Sequence, residues 1–177
     1  MKKISLFSFI LFISQFVFGQ SDSTNLTTIE AFSNTQSTLI QKIYYSVGTS
    51  KQFDVQVLSV KDLVTEKIVK GVIVEWSNPV GTYSVSSYRV FLDSDEIEDL
   101  IKALTKLVTI VKANTQESYS EYIFKTRGGF KVSIFSEVGK PWNAAIGNRL
   151  TNSFKSFKPE ELDKLNQAII KCRDRVK

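Results

Sequence analysis

From residue 29 onward the chain switches between two hydrophobic spacings, and it makes the switch twice. Phe53-Asp54-Val55-Gln56-Val57 alternates apolar with polar and runs on through Leu58 and Val60, the period of a half-buried strand. Ile68 to Trp76 is a second β-branched run, bounded by Ser77-Asn78-Pro79 and Gly81, and Tyr83 to Leu92 is a third. Upstream, Ile29, Phe32, Ile40, Ile43 and Val47 lie close to helical spacing, while Ile43-Tyr44-Tyr45-Ser46-Val47 fits a strand equally well. We read a short helix followed by a strand, which completes a four-stranded antiparallel meander.

The spacing then changes. Ile97, Leu100, Ile101, Leu104, Leu107, Val108 and Val111 follow i, i+3, i+4, i+7 over four turns, so one face of a long helix is buried. Asp93 and Glu96 stand three residues apart, as a reciprocal N-terminal cap requires, and Asn114 is a stop. Lys102 follows Glu98 by four residues, an exposed helical charge pair. The second half repeats the order. Tyr119 to Lys125 and Phe130 to Phe135 alternate on either side of Thr126-Arg127-Gly128-Gly129, whose glycines supply the positive φ angles of a tight hairpin. Trp142 to Ile146 and Leu150 to Phe157 are shorter strands. Lys158-Pro159-Glu160-Glu161 opens a last helix, with Leu162, Leu165, Ile169, Cys172 and Val176 on its apolar face. The predicted fold is α+β: two successive antiparallel meander-plus-helix units, ββββα twice, with helices packed on sheets.

The N-terminus breaks this pattern. Met1-Lys2-Lys3, an apolar run from Ile4 to Phe18 and Gly19 before Gln20-Ser21-Asp22 form a secretory signal peptide pattern. The run is interrupted by Ser5, Ser8, Ser14 and Gln15 and falls short of the roughly 20 residues of a bilayer span. We therefore expect residues 1–19 to be a cleaved signal, residues 20–28 a flexible polar leader, and residues 29–177 a single α+β domain exported to a periplasm or the cell exterior, with no transmembrane segment after signal removal. Asn25-Leu26-Thr27 matches a glycosylation acceptor, relevant in a eukaryotic source.

Composition restricts the chemistry. The 177 residues include no histidine, which removes imidazole metal sites and imidazole catalysis. The lone cysteine, Cys172, removes thiolate clusters and internal disulfides, so it is either a free core thiol or the site of an intermolecular disulfide. We expect no cofactor and no metal. The acidic group Asp93, Asp95, Glu96, Glu98 and Asp99 lacks the fifth- and sixth-position residues of a calcium loop, where Ile97 and Glu98 stand, and reads as helix capping and a solvated face. Lys125, Arg127 and Lys131 place positive charge at the tip of the Gly128-Gly129 hairpin near Tyr122 and Phe130. Trp76 and Trp142 each lie beside a turn signal. These five (Lys125, Arg127, Lys131, Trp76 and Trp142) are the candidate partner-binding residues, set against the plainer reading of soluble hairpin lysines and core indoles.

The order of elements resembles the Whirly-type single-stranded-DNA-binding regulators, through Tyr88-Arg89-Val90-Phe91-Leu92 leading into Asp93-Ser94-Asp95-Glu96-Ile97 and the long helix, then the second strand set and the helix from Pro159. That resemblance implies two strand-meander-plus-helix units and single-stranded nucleic acid as ligand. Asp95 to Ile101 and Tyr122 to Phe130 are also similar to segments of uncharacterised small secreted bacterial proteins, which implies a self-contained exported domain and no particular activity. The leading expectation is a non-catalytic exported domain, not an enzyme, that binds an unknown protein or ligand through its sheet surface or hairpin tip. Single-stranded nucleic-acid binding on a Whirly-like scaffold is the alternative, although a nucleic acid is not the partner we expect. A carboxylate-pair hydrolase is the third reading.

Overall fold

The structure, a computed structural model, describes residues 26–113 and 117–177. The signal segment, most of the polar leader, Asn25 and the helix stop at Asn114 lie outside the described residues. A short helix α1 (Thr28–Ser33) precedes strands β1 (Ile40–Thr49), β2 (Asp54–Asp62), β3 (Ile68–Val80) and β4 (Ser84–Asp93), which pair antiparallel in sequence order. A single 3-10 turn, Ser94–Glu96, leads into α2 (Ile97–Ala113). Strands β5 (Ser120–Lys125), β6 (Phe130–Ser136), β7 (Asn143–Asn148) and β8 (Ser153–Phe157) form a second antiparallel sheet, again in sequence order, followed by α3 (Glu161–Val176). This is the ββββα-twice α+β arrangement.

The helices exchange sheets. α2 follows the first sheet in sequence but packs on β5 and β6 of the second, whereas α3 follows the second sheet and lies across β1, β2 and β3 of the first. The two helices also pack on each other, so one core holds both halves: Val57, Val74 and Leu92 from one sheet, Val132, Ile134 and Ile146 from the other, and Leu100, Leu104, Leu165 and Ile169 between them. No helix among the described residues is long and apolar enough to cross a membrane.

β3 continues past the expected stop at Ser77-Asn78-Pro79. β2 pairs with β3 only as far as Glu75, and beyond it β3 pairs with β4 alone, Pro79 facing Val85. A proline has no amide to donate, and a two-stranded arm leaves it a side where none is needed. The arm braces the second sheet: the Asn78 side chain donates to the Phe154 carbonyl at 2.8 Å, and Lys155 Nζ donates to the Ser77 carbonyl at 2.9 Å.

α1 covers the outward face of the first sheet. Its N-cap Thr27 is buried and accepts from the Glu30 amide, so order begins inside the segment expected to be leader. Ile29 sits in a small second core with Leu58, Val60 and Ile73. Gly71 makes the close approach possible, since a Cβ there would stand 2.7 Å from the Leu92 carbonyl oxygen and 2.9 Å from Ile29 Cγ2. In the Gly128-Gly129 hairpin the expectation holds for one glycine: Gly129 has φ +86°, while Gly128 is needed because a Cβ would meet Thr27 Cγ2 at 2.4 Å and the Phe91 oxygen at 2.6 Å. The Glu98–Lys102 pair is not formed. Lys102 bonds Asp99 at 3.0 Å instead, and Glu98 faces Arg173 on α3 and Lys177 just beyond it.

Cys172 is fully buried on the α3 face, and desolvation pushes its thiol up to about 12. A thiol held neutral in the fold but free to ionise when unfolded makes folding weaken as the pH rises from about 9 to about 12; below that window both states are protonated and the effect vanishes. Native protein is expected to resist thiol reagents at neutral pH and to react stoichiometrically in denaturant. Rapid labelling of the native state would refute burial. Cys172→Ala should cost about 1 kcal/mol.

Candidate functional site

Every second residue of the second sheet points away from the helices, and the strand register assembles those residues into rows. One row reads Lys125, Lys131, Gly147, Phe154 and the next Ile123, Ser133, Ala145, Ser156; Glu121, Phe135 and Asn143 form a third. The middle of this face is made of small side chains. Ser133 and Ala145 are buried although they face away from the core, which makes them the floor of a groove of about 410 Å³. Gly147 holds the floor down at the β8 side, where a Cβ would lie 2.7 Å from the Ser153 carbonyl oxygen. Phe154, 68% exposed, and Phe135 give the groove apolar walls.

The charged groups of the groove are Glu121, Lys125, Lys131 and Arg149. Glu121 and Lys131 approach to 3.7 Å, while Lys125 and Arg149 form no ion pair among the described residues. A second hollow of about 790 Å³ adjoins the first at Ser156 and runs between the last turn of α2, the start of β7 and the start of α3. Lys112, Lys140 and Lys158 line it, each without an ion pair among the described residues, together with Glu160 and Trp142. The described residues hold 21 basic and 17 acidic side chains, a net of +4. The two hollows hold six basic and two acidic ones, also +4, so the rest of the surface is balanced and the excess lines two hollows that meet at Ser156, one on the outward face of the second sheet and one at its α2–α3 end.

The candidates from the sequence divide between this face and the interior. Lys125 and Lys131 face each other across β5 and β6 in one outward row. Arg127 is elsewhere: its Nη2 bonds both Asp95 carboxylate oxygens at 2.7 and 2.9 Å and lies 3.5 Å from Asp93, and its backbone amide donates to Glu96 at 2.7 Å. The Asp95 hydrogen bond, and then the surrounding carboxylates, raise its guanidinium above the usual value, so this charge is already matched. Trp76 is 2% exposed in the core and stacks on Tyr88. Trp142 is 6% exposed at the base of the second hollow, its ring 5.8 Å from Tyr122.

Asp93, Asp95 and Glu96 serve caps and Arg127, and Glu98 and Asp99 serve surface pairs. No group of three or more His, Cys, Asp or Glu among the described residues is placed to hold a metal ion. Arg149, Phe135, Phe154 and the lysines of the second hollow carry no sequence signal as a set, because only the register and the helix exchange bring them together. Compared with protein-family models, curated proteins and solved structures, the chain shows no match.

Proposed function

We propose that this chain is an exported, non-catalytic binding domain that holds an anionic ligand along the two adjoining hollows beside its second sheet. The observation that carries the reading is the focused charge: the net +4 of the described residues resides on the lining of two adjoining hollows, around a floor of small side chains. Unpaired cations beside a concave floor have no existing ion pair to give up when an anion binds, and they attract it from a distance. Export is supported by the Met1 to Gly19 pattern. A role without catalysis is supported by the acidic group Asp93 to Asp99, whose members are tied to caps and cations, and by a thiol sealed in the core.

A single-stranded nucleic acid is the second reading, favoured by Phe154, an exposed ring next to the Lys125–Lys131 row on which a base would stack. The two are separated by titrating poly-glutamate and an oligothymidylate at several salt concentrations. If Lys125, Lys131 and Arg149 each contact a phosphate, the oligothymidylate affinity falls with a log–log slope of roughly −2. The double variant Lys125→Gln, Arg149→Gln should weaken either anion. Phe154→Ala should weaken only the oligothymidylate, by roughly tenfold, as loss of one stacking contact does. Absence of binding to both anions at low salt, or indifference to the double variant, would overturn the proposal.

A further inference from the structure

Four strand edges bound the two sheets, and they are not alike. The β4 edge lies against β6 and β7, where Asn148 Nδ2 donates to the Arg89 carbonyl and the Gly128 backbone abuts Phe91. The β8 edge is held by the Asn78 and Lys155 bonds to the arm. β5 offers six residues, two of them charged. β1 offers ten, paired on one side only, with Lys42 its single charge. Its side chains are exposed on both faces: Ile43 38%, Tyr44 47% and Tyr45 45%. Open edges are ordinarily kept short, charged or distorted, because unpaired amides and carbonyls recruit another strand. β1 is distorted only at its far end, where the register shifts between Ser46 and Gly48.

We propose that β1 is the interface of a twofold dimer, pairing antiparallel with β1 of a second copy of this chain to make one continuous eight-stranded sheet. The sequence of the edge favours its own copy. The regular stretch before the shift is Ile40 to Ser46, and its midpoint is Ile43. A twofold through Ile43 sets Ile43 against Ile43 of the second copy, Lys42 against Tyr44, Gln41 against Tyr45 and Ile40 against Ser46. The single charge thus meets a tyrosine ring rather than its own copy, so the register contains no like-charge contact. The apolar side chains of both faces gain cross-strand neighbours. α3 crosses β1 near Gly48, where the Ala168 Cβ lies 2.7 Å from the position a Cβ would take. Five residues from the axis on each side, the two α3 helices stand about 30 Å apart along the strands and do not collide.

The test is the solution mass together with the register. Light scattering of the purified protein at about 100 µM, well above a micromolar Kd, should give twice the chain mass. Ile43→Lys, which sets two lysines face to face, should give the monomer with an unchanged circular dichroism spectrum. Ile43→Cys keeps the strand apolar and should form an intermolecular disulfide under mild oxidation, since facing residues of an antiparallel pair lie within disulfide reach. Gln41→Cys should not, because its two copies are four residues apart. Cys172 is buried and does not compete. A wild-type monomer at that concentration would overturn the proposal, as would a dimer that Ile43→Cys leaves unlinked.

Discussion

Replacing Trp76 with alanine is expected to lower the unfolding free energy by about 4 kcal/mol, the cost of deleting a large aromatic from a closed core. That is a large share of the roughly 5–15 kcal/mol that holds a domain of this size together. Trp76 is 2% exposed, packs with Val74 and Val90 and stacks on Tyr88 with ring centroids 6.0 Å apart. Its position explains the size of the effect: β3 leaves β2 at Glu75, so the indole seals the root of the two-stranded arm that braces β8. The indole nitrogen has no hydrogen-bond partner among the described residues. Trp76→Phe therefore breaks no hydrogen bond and should cost only about 1 kcal/mol, the loss of one ring's volume. Urea unfolding followed by circular dichroism measures both. A loss below 1 kcal/mol for Trp76→Ala would mean that the indole is not a core group.

The second large effect is expected at Asp93, where Asp93→Ala should cost about 3 kcal/mol. One carboxylate oxygen accepts the Thr28 amide at 2.8 Å, the other accepts the Ile29 amide at 3.0 Å, and Arg127 stands 3.5 Å away. Hydrogen bonds to a buried charge contribute roughly 1.5–3 kcal/mol each, and removing the acceptor strands two donors. The Asp93 backbone would still donate to Glu96 at 3.2 Å, so the start of α2 keeps one half of its reciprocal cap while α1 loses its anchor. The loss should therefore be local first. Hydrogen exchange at Ile29 and Ala31 should accelerate before the sheets open, and an apolar dye should bind the uncovered Leu58, Val60 and Ile73. Global unfolding with no separate release of α1 would show that the helix does not depend on this carboxylate.

Asp93 also shows how far a sequence pattern reaches. The three-residue spacing from Asp93 to Glu96 predicts a reciprocal cap, and the cap is present because it is made within one turn of chain. The same spacing says nothing of Thr28, Ile29 or Arg127, which lie 65, 64 and 34 residues away and meet Asp93 only through tertiary packing. Arg127 reads as a free cation beside a hairpin turn for the same reason: its partners are close in space and far in sequence. The opposite happens at Lys131, whose row partners Gly147 and Phe154 become visible only through register, since each strand's pattern fixes which residues share a face but not which strand lies beside it.

The chain's local periodicity sets the elements and their order, because strand and helix periods follow from backbone geometry over a few residues and from one buried face. It determined the burial of Ile97, Leu100 and Leu104 and of Val132 and Ile134 on the same ground. Tertiary structure alone decided that each helix crosses to the other sheet, that Trp76 closes a core, and that six scattered cations line two adjoining hollows. Those outcomes depend on which surfaces meet once chain separations of tens of residues have been closed, and no local period encodes such a meeting.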